Sequence, residues 1–261
     1  MTFEFFHAVD TGRARSNNED SVAVDEASAL AVLADGMGGY NAGEVASAMA
    51  VEHIGTELGR WLDQAADDAT AHQVLRAMED STDRANRAIF EAANTHADYA
   101  GMGTTVVLAL LWREQLLVGH AGDSRAYRWR EGVLTQLTRD HSLLQEQLDA
   151  GLITPEQAAV SGYRSWVTRA LGVEDTVLLE TTEHAVQAGD LFLLCSDGLT
   201  EMVDDADIAD VLGGRGTLDE QARMLIERAK AGGGRDNVSV ILARPGEMLK
   251  KSGIAGSWWK K

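Results

Sequence analysis

Apolar and polar positions alternate in two distinct rhythms along this chain, and their order predicts the architecture. Residues 3–9 and 21–24 read as strands, and the short apolar run 29–34 reads as a buried strand. The rhythm then turns helical. Asn41 with Glu44 three residues later has the form of a capping box, and Val45, Met49, Ile54, Leu58 and Leu62 follow on roughly one face. A second helix is predicted over about 67–97, with Val74, Met78, Ala85, Ile89 and Ala92 at helical spacing. Strands return at 104–112, 115–121, 125–129 and 133–137, the last two joined by a turn at Glu131-Gly132. A polar helical insert comes next, one piece over 142–150 and another opened by Thr154-Pro155-Glu156-Gln157. Strands are predicted at 177–186 and 190–195. A capping box at Thr217 and Glu220 starts a helix to about 231, and 237–243 closes as a strand with Val238, Val240 and Leu242 alternating. Many consecutive strands without a repeated βαβ unit predict an α+β fold, with antiparallel sheets and helices packed on them. No internal repeat is visible.

Composition adds bounds. The 261 residues are 45% hydrophobic, enough for a substantial core, and with only 2 prolines and no linker-like stretch they read as one domain. No apolar run reaches the roughly 18 residues that would span a membrane. The start Met1-Thr2-Phe3-Glu4 lacks the basic character of a signal peptide, and the single cysteine, Cys195, forms no internal disulfide, so the cytoplasm is the expected compartment. The net charge of −18 argues against a nucleic-acid binder, which needs a basic face. The exception is a basic-aromatic tail, 246–261, with Lys250, Lys251, Trp258, Trp259, Lys260 and Lys261; as a terminus it is expected to be mobile.

The candidate chemistry lies in four acidic segments: Asn18-Glu19-Asp20, Asp35-Gly36-Met37-Gly38-Gly39, Ser196-Asp197-Gly198 and Gly234-Arg235-Asp236-Asn237. Three of them adjoin an apolar stretch, and an aspartate at the end of a buried strand is held rigidly at one sheet edge. Several carboxylates meeting there repel each other and call for a cation. With oxygen ligands alone on offer, hard ions such as Mg²⁺ or Mn²⁺ suit better than Zn²⁺. Each Asp-Gly step alone is a common turn; two of them at strand ends weaken that reading. Gly122-Asp123-Ser124-Arg125, between two predicted strands, is equally readable as a hairpin turn. Other phosphate chemistries are excluded. A cysteine phosphatase places Arg six residues after its nucleophile, and here Glu201 stands there; Cys195, within Leu193-Leu194-Cys195, reads as a core thiol. There is no P-loop, the two Gly-Met-Gly steps lack a third glycine (Asn41 and Val106 stand there), and no kinase signature or zinc-like pair of histidines occurs. His7 and His120 fall in predicted strands and His53 in the first helix.

Six segments in order, Arg15-Ser16-Asn17-Asn18-Glu19-Asp20, Ala34-Asp35-Gly36-Met37-Gly38-Gly39, Gly101-Met102-Gly103-Thr104-Thr105, Gly122-Asp123-Ser124-Arg125, Cys195-Ser196-Asp197-Gly198-Leu199 and Asp236-Asn237, resemble those of bacterial metal-dependent serine/threonine protein phosphatases, the PPM or PP2C-like family. The resemblance covers about 5–242. It implies an α-β-β-α sandwich of two antiparallel sheets flanked by helix pairs, a phosphatase domain over 1–245, and a mobile flap over about 140–172 that influences substrate docking. It implies that Asp35 bridges two ions, that the Gly36 carbonyl joins it, that Asp197 and Asp236 complete the first ion's set, and that Glu19 and Asp20 hold the second. Asp123 with Asp197 is similar to the ligands of a weaker third ion. Arg15 matches the phosphate-binding arginine, which suits a guanidinium able to grip two oxygens at once; the plainer reading of Arg15 is a surface ion pair with Glu19.

Two positions depart from the family pattern. Met37 stands where eukaryotic relatives carry a histidine proposed as general acid, and Tyr40 stands where many bacterial relatives have His. By resemblance, a metal-activated hydroxide attacks phosphoserine or phosphothreonine phosphorus directly, without a phosphorylated side chain, and reverses a partner Ser/Thr kinase. A monomer is expected. Two rivals stand beside this reading: a non-catalytic phosphoprotein-binding or sensing scaffold, which the complete acidic set opposes, and a structural Ca²⁺ protein, which the dispersal of the acids opposes.

Overall fold

Strand β3 (Leu30–Met37) explains why the chain builds layers. Its side chains alternate between two faces, and both are apolar: Leu30, Val32 and Ala34 point one way, Ala31 and Leu33 the other. Such a strand must be covered on both sides. The fold that achieves this is taken from a computed structural model, which describes residues 2–38, 42–66, 68–159 and 166–246.

One sheet runs in the order β2 (Asp20–Asp25), β3, β5 (Val106–Trp112), β6 (Gln115–Ala121), β9 (Glu180–Ala185), with the two-residue β4 (Gly103–Thr104) against the end of β3. The other runs β1 (Phe3–Asp10), β11 (Val238–Pro245), β10 (Leu191–Cys195), β7 (Arg125–Arg130), β8 (Val133–Gln136). Every pairing is antiparallel. Helices α1 (Gly43–Gln64) and α2 (Ala71–Thr95) cover the first sheet through Ile54, Leu58, Val74, Met78 and Ile89. On the far side lie the short α5 (Asp197–Thr200), then α6 (Asp205–Gly213) and α7 (Leu218–Ala231), whose Ile208, Val211, Leu225 and Ile226 pack on Tyr127, Leu193, Val240 and Leu242. Between the sheets lies a third apolar layer that includes Leu33, Val107, Val118, Phe192, Leu194 and Ile241. The result is the expected α-β-β-α sandwich.

Several local expectations change. Helix α1 starts at Gly43 after Ala42, which provides no side-chain cap; Asn41 lies outside the described residues, and Glu44 instead receives a hydrogen bond from the Asn17 amide. Helix α2 begins later than the spacing predicted, at a capping box made by Thr70 and Gln73. The sequence reading passed over α6. It is short and bounded by Gly213-Gly214, but Asp204 caps it by accepting the Asp207 N–H at 2.8 Å. In β11, Val238 to Ala243 are all buried, so the alternation there distinguishes two packing partners rather than inside from outside. Gly122-Asp123-Ser124 is not a hairpin: β6 and β7 belong to different sheets, and this segment crosses between them. Within the flap, α3 (Leu143–Asp149) is capped by Ser142, and α4 (Pro155–Ala159) opens after Thr154, which accepts from the Gln157 N–H. Residues 160–165 of the flap and 247–261 of the tail lie outside the described residues.

Candidate metal centre

The inter-sheet layer turns polar at one end, strand by strand. Side chains two residues apart on a strand share a face. Ala31 and Leu33 are followed on that face by Asp35; Val24 and Val22 are followed, running backward, by Asp20; Phe192 and Leu194 lead to Ser196; Ala243 and Ile241 lead to Ser239; and Thr105 precedes Val107. The register places Asp20 directly opposite Asp35 on the adjoining strands β2 and β3. Asp197 opens α5 where β10 ends, Asp236 sits in the turn before β11, and Asp123 lies on the crossover between the sheets.

The main chain here is tightly held. The Asp35 N–H donates to Thr105 Oγ1 at 3.1 Å, and its carbonyl accepts from the Thr105 N–H at 2.9 Å and from Thr104 Oγ1 at 2.9 Å. The Glu19 N–H donates to Asn237 Oδ1 at 2.8 Å, while the Asn237 amide donates to the carbonyls of Thr11 (3.0 Å) and Asn17 (2.9 Å). Asn237 therefore stitches the loop carrying Arg15 and Glu19 to the turn carrying Asp236. Ser196 Oγ donates to Asp20 Oδ2 at 2.9 Å and accepts from the Ser239 N–H at 3.0 Å, joining the two sheets at the site. Glycine follows Asp35 and Asp197 because nothing larger fits. A Cβ on Gly36 would stand 2.1 Å from the Gly43 carbonyl oxygen, and one on Gly198 would stand 1.9 Å from that of Asn237. Glu19 lies against the start of α1, its Oε2 within 2.8 Å of where a Gly43 Cβ would be.

The acids act on one another. Burial raises Asp35 well above the usual carboxylate range, and the charges of Asp20, Asp197, Asp123 and Asp236 raise it further. Asp197 is raised in the same way, by burial and then by Asp123, Glu201, Asp236 and Asp20. Burial pushes Asp20 up to about 6 despite the Ser196 hydrogen bond, and pushes Asp123 up to about 6 with Asp140 adding to it. Glu19 is raised by burial, with Arg15 opposing. Arg15 Nη2 donates to Asp236 Oδ2 at 2.7 Å; the pairing with its sequence neighbour Glu19 is not the one formed. Asp20 Oδ1 is buried and has no hydrogen-bond partner among the described residues. A buried, unpaired carboxylate oxygen amid like charges is a costly arrangement. A divalent cation on oxygen ligands relieves it, so the residues fit a hard ion.

Cys195 takes no part. It is fully buried on the helix-facing side of β10, and burial pushes its thiol up to about 12. Met37 is half-buried at the end of β3; Tyr40 lies outside the described residues. Sequence reasoning assigned no task to Thr105, Ser196 or Asn237, although all three stood within the quoted motifs. It also missed the gathering of His120, His141 and Glu180, which no sequence spacing announces.

Residues 12–225 match the family model for protein phosphatase 2C. The chain is 38% identical to the serine/threonine phosphatase stp of Listeria innocua over 244 residues, covering 92% of this chain and 95% of that one. It is similar to the crystal structure of the Mycobacterium tuberculosis serine/threonine phosphatase PstP/Ppp, with a TM-score of 0.84, 38% identity, and coverage of 94% of this chain and 99% of that one. It is also similar to the catalytic domain of PstP in complex with two manganese ions, with a TM-score of 0.80, 37% identity, and coverage of 93% and 98%. An acidic centre built at the polar end of an α-β-β-α sandwich, together with these likenesses over nearly the whole chain, places this chain in the protein phosphatase 2C family, the metal-dependent serine/threonine protein phosphatases.

Proposed function

We propose that the acids at the polar end of the inter-sheet layer hold the ions with which this protein removes phosphate from phosphoserine and phosphothreonine in proteins. Asp35 would contribute to the donor sets of both ions. Gly36, through its carbonyl, Asp197 and Asp236 would complete one set, Glu19 and Asp20 the other, and Asp123 with Asp197 would hold a weaker third. Manganese is supported by the PstP complex, and magnesium by the all-oxygen donor set. When bound, the ions supply Lewis acidity that activates water and offsets charge on the phosphoryl group.

The chain's own residues supply position. The Thr104, Thr105 and Ser196 hydrogen bonds fix Asp35 and Asp20 before any ligand arrives. Arg15, half-exposed beside Asp236, is placed to take phosphate oxygens in a forked grip. Met37 carries no transferable proton, so the leaving-group proton is not assigned to that position. The buried Cys195 thiol is out of reach of a substrate, which leaves no cysteine to form a phosphoenzyme.

The observation that carries this reading is the in-register pair Asp20 and Asp35, with Asp20 Oδ1 buried and unpartnered. Phosphate release from a phosphothreonine peptide tests it. Turnover should appear with Mn²⁺ or Mg²⁺ and vanish in excess EDTA; full turnover in EDTA ends it, and peptide binding without turnover favours a non-catalytic scaffold. The same reading treats 1–245 as one phosphatase domain acting as a monomer in the cytoplasm, on a Ser/Thr kinase or its targets. No described helix is long and apolar enough to cross a membrane.

A further inference from the structure

The flap closes back on the protein through a short ladder at its two roots. His141, Ser142 and Leu143 run beside Thr168, Val167 and Trp166: the Thr168 N–H donates to the His141 carbonyl at 2.8 Å, Ser142 bridges to Val167, and the Leu143 N–H donates to the Trp166 carbonyl at 2.9 Å. This ladder meets the acidic centre at one residue, His141. Its N–H donates to the Gly122 carbonyl at 2.9 Å, and the Gly122 N–H donates to His141 Nδ1 at 3.2 Å. Gly122 is therefore gripped at both its polar groups, and Asp123 is the next residue.

The ring is fixed on its other sides too. It stacks on His120 with centroids 4.5 Å apart and planes within 2°. Its Nε2 lies 3.2 Å from Glu180 Oε2, and Arg169, whose Nη1 stands 2.9 Å from Nε2, donates to the Leu178 carbonyl at 3.2 Å. Burial, with His120 and Arg169 alongside, keeps its pKa below the usual histidine value, so the ring is neutral near neutral pH. A neutral ring that accepts the Gly122 N–H at Nδ1 carries its hydrogen on Nε2, where Glu180 Oε2 accepts it and Arg169 Nη1, itself only a donor, makes no hydrogen bond to the ring. That tautomer opposes a metal reading of His120, His141 and Glu180, although their ligand atoms lie within 4.8 Å of one another. An ion on Nε2 would put the hydrogen on Nδ1, against the Gly122 N–H.

The Asp123 turn is held from the opposite side by the centre itself. Thr105 Oγ1, which accepts the Asp35 N–H, lies 2.7 Å from Ser124 Oγ. Asp123 thus sits between two clamps, one anchored on Asp35 and one on the flap. We propose that His141 is a positioning residue: its ring fixes the Asp123 turn from the flap side, so that the placement of the flap is transmitted to the Asp123 carboxylate and to the ion it binds. This rests on the reading of Asp123 as an ion ligand.

Removing the ring leaves the His141 main-chain bonds in place, so the ladder should survive in His141→Ala. The Gly122 N–H loses its acceptor, and Asp123 loses one of its two clamps. Asparagine places an amide oxygen close to the position of Nδ1; glutamine reaches instead toward that of Nε2. The test is calorimetric titration of the full-length, metal-stripped protein with Mn²⁺, alongside the Mn²⁺ concentration for half-maximal phosphopeptide hydrolysis. His141→Ala and His141→Gln should weaken the weakest Mn²⁺ step by about tenfold, the scale of losing an outer-shell partner. His141→Asn should stay within about threefold of wild type on the same scale. In an Asp123→Asn background, His141→Ala should add nothing, because the two act on one ion.

Should His141→Ala fail to fold, the asparagine and glutamine variants carry the comparison. Asp123→Asn that weakens Mn²⁺ binding, with His141→Ala and His141→Gln matching wild type, overturns the proposal alone. So do equal losses in the asparagine and glutamine variants, or a His141→Ala effect that persists in the Asp123→Asn background. Asp123→Asn that itself binds Mn²⁺ like wild type removes the underlying ligand reading, and the proposal with it.

Discussion

The two sheets face each other along one continuous layer, and its middle and its polar end obey opposite rules. In the middle, Leu33, Val107, Phe192, Leu194 and Ile241 form a dry apolar contact. Two residues further along the same strand faces, Asp35, Asp20 and Ser196 form an edge where buried carboxylates press their pKa values upward. The same strands build both, with one periodicity. Apolar burial stabilises the sandwich with or without an ion, whereas the acidic edge crowds like charges together in a buried place. On the proposed reading, stability and activity fall to adjacent stretches of one structure, and they should respond separately to mutation.

The widest gap is expected from Asp35→Asn and Asp197→Asn. Each should lower phosphopeptide turnover by about a thousandfold or more, beyond the 10–100-fold typical of outer-shell partners. Neither should lower the metal-free melting temperature, since each removes one of several repelling charges. Unfolded variants would erase the distinction between the middle and the polar end. Phe192→Ala should do the reverse. Emptying a site that is 1% exposed should cost about 3–5 kcal/mol in denaturant unfolding. Below the new melting point, the Mn²⁺ requirement should match wild type. A shifted requirement would show that the apolar layer also sets the ligands.

Asn237→Ala probes the seam between the regions. With the Glu19, Thr11 and Asn17 hydrogen bonds lost, Mn²⁺ should bind about 10–100-fold more weakly by calorimetry. An unchanged affinity would mean that the loops hold Glu19 and Asp236 without it. The mildest effect is the pH dependence of the metal-free protein. Asp20 and Asp123 have folded pKa values raised to about 6, above those of the unfolded chain. The folded state therefore holds these protons more tightly, and that stability is present at low pH and lost as pH rises through about 6. The melting temperature of the stripped protein should fall by a few degrees across that window, and saturating Mn²⁺ should abolish the fall. A rise instead would mean that the acids are already paired without metal.

Much of this was legible in the chain. Strands with apolar runs, such as Leu30 to Ala34 and Leu191 to Leu194, announced themselves because both of their faces are buried. The acids were legible as Asp-Gly steps at strand ends, where close packing around Gly36 and Gly198 excludes other residues. What stayed hidden depended on tertiary neighbours. The crossover at Asp123 is equally readable as a hairpin because sequence does not say which sheet a strand joins. Helix α6 was missed because its short apolar stripe, Ile208, Val211 and Leu212, has meaning only against the second sheet. The clasp of His141 with Gly122 and Glu180 joins positions far apart in the chain, and Asn237 serves through its amide contacts to loops more than two hundred residues away. No local pattern encodes either.

The central claim is that the carboxylates at the polar end of the inter-sheet layer share a pair of divalent ions. Anomalous diffraction at the manganese edge, from crystals grown with Mn²⁺, tests it most directly. The account predicts two strong peaks flanking Asp35, bounded by Asp197 and Asp236 on one side and by Glu19 and Asp20 on the other. Manganese found only at His120, His141 and Glu180, with no peak beside Asp35, would contradict it.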